Sequence, residues 1–138
     1  MQDAEDRTQE KEYTKFVTTF RFKNLIVWKK AISLAVILAK ISEEFPPRFQ
    51  SSFGDQLRRA GLSIPNNIAE GNGRKTERES NNFYNIAKGS AYECISILEV
   101  ASQMSLINWS KYNRDEIESL AEEICRMLHS LMNRPPVS

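Results

Sequence analysis

Apolar side chains recur at alternating intervals of four and three residues in four separate segments of this chain. That spacing places them on one face of an α-helix that packs against other helices. No segment shows the strict apolar-polar alternation of a half-buried strand. The four sets of small or apolar residues are Val27, Ala31, Leu34, Leu38, Ile41 and Phe45; Phe53, Leu57, Ala60, Ile64 and Ile68; Phe83, Ala87, Ser90, Cys94, Ile97, Ala101 and Met104; and Ile117, Leu120, Ile124, Leu128 and Leu131. The sequence therefore predicts four helices and no sheet.

Prolines and a capping residue mark the ends of the first and last helices. The proline pairs 46–47 and 135–136 close them, because proline lacks an amide and disfavours helical geometry in the preceding residue. Asn113 with Glu116 three residues later predicts the start of the fourth helix.

The middle two helices have signals of their own. The second is expected to begin at Ser51 or Ser52 and to end at Gly71, which offers a left-handed C-terminal stop. Thr76 and Glu79 form a capping box for the third, which is predicted to run to about Ile107.

Two interior positions depart from an ideal helix. Pro65 removes one backbone hydrogen bond, which predicts a kink in the second helix between Gly61 and Pro65. The small run Gly89, Ser90 and Ala91 lowers helix propensity, which predicts that a neighbouring helix, from this subunit or another, presses there.

These features predict an all-α fold, an antiparallel up-down-up-down four-helix bundle with a kinked second helix. The domain spans 20–134, between a disordered or loosely docked N-terminal arm, 1–19, and a C-terminal tail, 135–138. The arm mixes charges and lacks a sustained helical period. A length of 138 residues suits one domain.

The first helix has more apolar surface than one core contact requires. A second stripe, formed by Leu25, Trp28, Ile32, Ala35 and Ala39, runs beside the first. We expect one face to meet the core and the other to meet another subunit, so that the bundle forms a homo-oligomeric ring.

Charge is distributed unevenly along the chain, although the net charge is only +1. Residues 1–12 have a balance of −3, residues 21–75 a balance of +6, and residues 76–138 a balance of −3. Such asymmetry suits a protein that presents one face to phosphates, or subunits that stack charge against charge. Ordinary solvated helix faces explain it equally well.

Several classes of protein are disfavoured. The longest apolar stretch, from Ala31 to Ala39, falls far short of the about 20 residues that span a bilayer. The acidic start is unlike a secretory signal, so we expect a cytoplasmic protein. Cys94 and Cys125 fall on predicted helices among apolar neighbours and are expected to be free thiols that pack in the core.

Signatures of catalysis are lacking. The single histidine, His129, has no cysteine, carboxylate or second histidine at ligand spacing, which argues against a metal site or a histidine-based triad. We therefore predict no enzyme activity, no catalytic residue, no metal and no cofactor. His129 is expected to be an exposed side chain at a helix end.

Four basic residues are the candidates for nucleic-acid binding. Arg74 and Lys75 follow a glycine turn and precede a helix N-terminus, a combination that attracts anions, although capping and a tight turn also explain it. Arg58 and Arg59 flank the buried stripe of the second helix. Their guanidinium groups suit phosphate, and salt bridges within or between subunits are an equally good explanation.

A longer pattern runs through most of the chain. It consists of Phe22, Leu25, Val27, Trp28 and Ala31, then of Gln56-Leu57-Arg58-Arg59-Ala60, Ser63-Ile64-Pro65-Asn66-Asn67-Ile68-Ala69-Glu70-Gly71, Gly73-Arg74 and Ile86-Ala87-Lys88-Gly89-Ser90-Ala91-Tyr92-Glu93. This pattern resembles the "four helix bundle protein" family, whose founding members are encoded in intervening sequences of bacterial 23S ribosomal RNA genes. The resemblance covers about Phe20 to Leu131.

The resemblance implies a ring, typically a homopentamer with a central channel. It also links the chain to the accessory variability determinants of diversity-generating retroelements, similar basic barrels that bind a reverse transcriptase and nucleic acid. Arg58, Arg59, Arg74 and Lys75 match the basic positions of that family.

Two functions follow as hypotheses. The first is a non-enzymatic oligomeric accessory protein that binds RNA or DNA through these four residues and assists a reverse transcriptase. The second is a protein-binding scaffold without direct nucleic-acid contact, whose exposed aromatic and acidic surface includes Trp109, Tyr112 and the fourth helix. Neither hypothesis involves binding to a membrane.

Overall fold

The computed structural model describes residues 20–133, which form four helices and contain no strand. The helices are α1 (Ile26–Glu43), α2 (Asp55–Asn72), α3 (Glu77–Gln103) and α4 (Arg114–Met132). A 3₁₀ turn, Arg21–Asn24, precedes α1; a second one, Pro47–Phe49, and a π-helical turn, Gln50–Gly54, lead into α2. The predicted arm and tail lie outside the described residues.

Each helix packs against its sequence neighbours, and α1 also packs against α4. The core consists mainly of the predicted stripes. All six members of the first stripe are buried, and a buried leucine contributes about 1.5–3 kcal/mol. Phe53, Phe83, Leu120 and Leu131 are half-buried, and Met104, at the end of the third stripe, is 42% exposed.

Both predicted N-caps are confirmed. Thr76 accepts a hydrogen bond from the amide of Glu79 at 3.2 Å, and Asn113 accepts one from the amide of Glu116 at 3.1 Å. These bonds satisfy amides that have no partner within the helix.

The second helix starts and ends close to the predicted residues, whereas the predicted end of the third helix and the predicted left-handed stop are wrong. The second helix begins as a π-helical turn and becomes α-helical only at Asp55, and α3 ends at Gln103 instead of near Ile107. Gly71 is not a left-handed stop: it lies within α2, and no glycine from 20 to 133 has a positive φ. Helix α2 is continuous through Pro65, while the kink itself stays a prediction.

Two of the three small residues Gly89, Ser90 and Ala91 in α3 are packed against the rest of the bundle. Ser90 donates to the hydroxyl of Ser63 on α2 at 2.8 Å, and Ala91 is buried. A Cβ on Gly89 would have nothing within 4 Å. The second stripe of α1 is likewise incompletely covered, since Ile32 is 36% exposed and the neighbouring Val36 47%.

Candidate functional site

Arg58 is held inside the corner between α1 and α2. Its guanidinium donates to the hydroxyl of Ser42 at 3.0 Å, to the side-chain oxygen of Gln50 at 3.0 Å and to the carbonyl of Gln50 at 3.1 Å. It also pairs with Asp55 at 2.6 Å. The sequence leaves phosphate binding and salt bridges within or between subunits open for Arg58, and the structure shows a salt bridge within the chain.

Gln50 extends this network to the end of α1. Its side-chain amide donates to the carbonyls of Ser42 and Phe45, each at 2.8 Å. These carbonyls belong to the last turn of α1 and its exit, where helical partners run out. Arg58 and Gln50 together therefore stabilise the connection between the two helices.

Arg59 has a different environment from its neighbour. Its side chain is exposed, and no residue between 20 and 133 forms a hydrogen bond or an ion pair with it. A guanidinium in this state can bind an anion without first giving up an internal contact.

Arg74 lies in the loop between α2 and α3. It pairs with Glu70 at 3.2 Å, and its guanidinium lies 4.5 Å from the centre of the Phe83 ring. Its side chain is 44% exposed, so the pair with Glu70 contributes little to stability. Arg74 is thus oriented by an aromatic face but accessible to solvent.

Lys75 is exposed immediately before the N-terminus of α3, and no residue in the described part of the chain pairs with it. The partial positive charge of the helix N-terminus adds to that of Lys75. Glu77 and Glu79 in the first turn oppose it. An anion at this loop would therefore be held by Arg74 and Lys75 more than by the helix dipole.

The four basic candidates do not form one cluster. Arg58 and Arg59 lie in the first turns of α2, whereas Arg74 and Lys75 follow its last turn. At 1.5 Å per residue, Arg59 and Asn72 are separated by about 20 Å along the helix axis. This separation follows from the length of α2 and from its continuity through Pro65, neither of which the sequence pattern alone determines.

The two aromatic residues expected on an exposed surface are half-buried. Trp109 donates its indole N–H to Ser102 at 2.9 Å, and Tyr112 donates its hydroxyl to Glu44 at 2.6 Å. Both side chains are less exposed than expected, and they tie the α3–α4 loop to α1 and α3. Binding of a partner at these two residues stays a prediction. Tyr92 on α3 is an exposed aromatic, at 63%, and it falls outside the predicted stripe.

A network of charge surrounds Glu44. The hydrogen bonds from Lys111 and Tyr112 hold the pKa of the Glu44 carboxyl below its ordinary value. The same carboxylate raises the pKa of Lys111 and that of Tyr112. These groups are on the surface and fix the loop after α3 to the end of α1.

A groove lies between α3 and α4. It has a volume of about 900 Å³ and is lined by Ala91, Tyr92, Ile95, Ala121 and Cys125 among others. Burial raises the pKa of the Cys125 thiol, and it raises that of Cys94 in the core to about 12. Both cysteines are free thiols, as predicted, but only Cys94 is fully buried.

The described part of the chain offers no metal site, because it has no group of three or more His, Cys, Asp or Glu side chains that could hold an ion. His129 is exposed, and its ring nitrogen lies 3.4 Å from the amide of Asn133. Within residues 20–133 no helix is long and apolar enough to span a membrane.

Comparisons with known proteins give a family match and a structural match. The sequence profile of the family described as "23S rRNA-intervening sequence protein" matches residues 23–130. A solved structure of a protein of unknown function from the S23 ribosomal protein family of Bacteroides thetaiotaomicron has a TM-score of 0.67 and 24% identity. The alignment covers 78% of this chain and 99% of that one, so it supports the same fold. A comparison with curated proteins gives no match.

Proposed function

The chain belongs to the 23S rRNA-intervening sequence protein family, and from this premise we propose that it is a non-enzymatic, oligomeric accessory protein that binds RNA or DNA. The observation that carries the proposal is that Arg59 and Lys75 are exposed cations with no acidic partner among the described residues. Both belong to the half of the chain with a charge balance of +6. Arg74, with its exposed and oriented guanidinium, joins them.

Arg58 has a different role within this proposal. Its guanidinium already has partners on three sides, and a phosphate would have to compete with them. Arg58 therefore holds the start of α2 in place, and Arg59, the next residue, makes the contact.

The distance between the two basic points decides which ligand fits. Duplex DNA carries one negative charge per about 1.7 Å of its axis. Arg59 and the loop that carries Arg74 and Lys75 are separated by about 20 Å, a distance that spans many phosphates. A small anion would meet only one of the two points. The arrangement accordingly favours a polymer of phosphates over a nucleotide.

Contacts between helix ends support the antiparallel up-down-up-down arrangement on which this spacing depends. Lys111 and Tyr112, shortly before α4, both bind Glu44, which directly follows α1. Asn81, near the start of α3, donates to the carbonyl of Met132 at the end of α4 at 3.4 Å.

Assembly into a homo-oligomer, with a pentameric ring as the expected state, would multiply the few basic contacts of one subunit. Large apolar side chains that remain exposed on the helices support it. They are Ile26, Ile32, Val36, Leu62, Ile86, Tyr92, Val100 and Met104. Light scattering tests the assembly, and a monomer at working concentrations would exclude it.

Salt-dependent retention on RNA and on duplex DNA tests the binding. We expect the affinity to fall steeply as salt rises, and Arg59→Ala with Lys75→Ala to reduce the slope of log K against log salt by about 2 per subunit that contacts the polymer. Lys88→Ala with Arg126→Ala removes the same charge from the α3–α4 side and is the matched control. Equal losses in the two double variants, or salt-independent retention, would contradict the proposal.

A second candidate function is a scaffold that binds protein alone, such as a reverse transcriptase. The specific observation in its favour is the set of exposed apolar side chains, which suits a protein surface better than a phosphate backbone. Co-purification of the chain with a co-expressed reverse transcriptase after nuclease treatment, together with no retention on RNA or DNA, would favour this function over the first.

A further inference from the structure

The turn before α1 and the first turn of α1 form a basic segment without acidic residues. Residues 20–30 contain no aspartate or glutamate, and their four bases are Arg21, Lys23, Lys29 and Lys30. Lys30 pairs with Glu123 of α4 at 3.3 Å. Arg21 and Lys29 are exposed and form no ion pair with a described residue. A phosphate at this segment would therefore meet cations that have no carboxylate beside them in the sequence.

Three aromatic rings connect the same segment to the core. Trp28 packs against the core, and the ring of Phe22 meets it in an edge-to-face geometry with centroids 5.2 Å apart. Phe20 meets Phe22 in the same geometry at 6.2 Å and is 39% exposed. The ammonium group of Lys23 lies 5.8 Å from the centroid of Phe20. The outermost ring is thus held by neighbours and is still accessible to solvent.

The α2–α3 loop lies at the same end of the bundle. In the antiparallel arrangement supported above, α1 and α2 cross where a Cβ on Gly61 would lie 3.8 Å from the Cα of Ala35. From this contact, α1 extends back about 14 Å to Ile26 and α2 extends forward about 17 Å to Asn72. The turn before α1 packs on both helices. It therefore lies beside the end of α2, where the loop that carries Arg74 begins.

Arg74 provides a second flat surface at this end. Its guanidinium lies 4.5 Å from the centroid of the Phe83 ring, and its side chain is 44% exposed. Bases stack on arginine planes as they do on aromatic rings. A guanidinium supported on one side by Phe83 is therefore a suitable surface for a base on the other side.

The excess of positive charge at this end comes from the segment at the start of α1. Residues 70–79 contain three bases and three acids, so their charges cancel. Residues 20–30 have a balance of +4, which the pair of Lys30 with Glu123 reduces to +3. The segment thus supplies the charge, and the loop supplies the plane of Arg74.

We propose that this end of the bundle binds a single strand of RNA or DNA, with a base stacked on Phe20 and phosphates bound by Arg21 and Lys23. The inference rests on the proposed function and names the form of nucleic acid that the site takes. In a duplex the bases stack on one another and present only their edges in the grooves, so an exposed phenyl ring adds little to the affinity. A single strand presents its base faces, and stacking on aromatic side chains beside cations is a main source of its affinity.

Fluorescence anisotropy of the full chain with two labelled probes tests the proposal. The probes are an oligouridylate of about 20 nucleotides and an RNA duplex of about 20 base pairs, both longer than one binding site. Phe20→Ala should lower the affinity for the oligouridylate about tenfold, as expected for one lost stacked base, and lower that for the duplex less than about twofold. Equal losses for the two probes, or no loss for either, would overturn the inference.

A conservative variant separates stacking from a structural role of the ring. Phe20→Trp keeps an aromatic face and should retain the affinity for the oligouridylate, whereas Phe20→Leu keeps only the apolar contact and should lose it as Phe20→Ala does. Full affinity in Phe20→Leu would overturn the role of stacking.

Two control variants test the location of the site. Phe49, in the turn before α2 at the other end of α1, also has a cation over its ring, since Arg48 lies 4.8 Å from the centroid. Phe49→Ala should leave the affinity for the oligouridylate unchanged. Arg21→Ala should reduce the slope of log K against log salt for this probe by about 0.7, whereas Arg126→Ala on α4 should not change it. Equal effects at the paired positions would overturn the assignment to this end.

The same measurements distinguish failure of this inference from failure of the proposed function. If the natural chain binds neither probe at low salt, the proposed function fails and the inference fails with it. If the natural chain binds both probes and Phe20→Ala binds them as tightly, only the inference fails.

Discussion

Gly71 of α2 lies directly against the ring of Tyr84 on α3. A Cβ on Gly71 would come 2.7 Å from Cε1 and 2.9 Å from Cδ1 of that ring, and 3.1 Å from the carbonyl of Ser80. These distances are shorter than van der Waals contact, and Tyr84 is itself buried. Helices α2 and α3 can approach this closely only because residue 71 has no side chain.

Gly71→Ala is therefore expected to destabilise the fold. The added methyl group must displace a buried ring or separate the two helices, at a cost of about 1–3 kcal/mol. Urea unfolding measures the change in the free energy of unfolding.

Gly89→Ala provides the matched control in the same pair of helices. Nothing lies within 4 Å of its added Cβ, so the gain in helix propensity should stabilise the subunit by about 0.5–1 kcal/mol. A stabilising Gly71→Ala, or equal effects at the two positions, would show that the contact with Tyr84 does not limit the packing. If a second subunit of the proposed oligomer covers Gly89, the same variant should weaken assembly and still raise the free energy of unfolding of the monomer.

The sequence predicted the helices well because burial follows a period. Every member of the stripe from Val27 to Phe45 is in the core, and the caps at Thr76 and Asn113 are where side-chain chemistry places them. Such features depend on residues a few positions apart in the chain.

The parts that could not be predicted depend on contacts between distant residues. Gly71 resembles a helix stop by sequence, and only its contact with Tyr84 explains why the glycine lies inside α2. Arg58 and Arg59 are neighbours of identical type, and only the π-helical turn that brings Gln50 to Arg58 separates their roles. The α3–α4 groove depends on the distance between helices, which periodicity does not report.

Arg58 should be far more important for stability than Arg59. Arg58→Ala removes the donor to the carboxylate of Asp55 and to the buried hydroxyl of Ser42, which keeps only its own bond to the carbonyl of Ala39, and this loss costs about 1–3 kcal/mol. Arg58→Lys should restore little, because an ammonium group cannot reproduce the fork that reaches Ser42, Gln50 and Asp55 together. The free energy of unfolding from urea titration measures all of these variants.

Arg59→Ala is the control for that series. Its side chain has no partner in the described part of the chain, so the change should stay within about 0.5 kcal/mol. If Arg59→Ala proved as destabilising as Arg58→Ala, the corner network would not be what holds α1 to α2.

Glu44 is expected to make stability depend on pH in the acidic range. Because its pKa is lowered in the folded state by Lys111 and Tyr112, its contribution is complete above the unfolded pKa and disappears as pH falls through the folded one. Glu44→Gln should therefore be less stable than the natural chain at neutral pH, and the difference should shrink as the pH falls below the ordinary range of a glutamate carboxyl and through its lowered folded pKa. Glu43→Gln, at an exposed neighbour without an ion pair to a described residue, is the control. A difference that persists unchanged at low pH would contradict the role of the carboxylate.

Ser105 ends α3 at a position that glycine would fill better. Its φ is 59°, its amide donates to the carbonyl of Ser102 at 3.0 Å, and the amide of Leu106 donates to that of Ala101 at 2.9 Å. This is the bond pattern of a Schellman stop, in which a left-handed residue other than glycine costs roughly 1–2 kcal/mol. Ser105→Gly should consequently stabilise the chain by about 0.5–1 kcal/mol in urea unfolding, since part of the relief is offset by the greater freedom of glycine in the unfolded chain.

Ser119→Gly, the same change on the exposed face of α4, is the control and should instead destabilise the chain by about 0.5–1 kcal/mol. If both variants lowered stability, the left-handed geometry at residue 105 would not be the source of the strain.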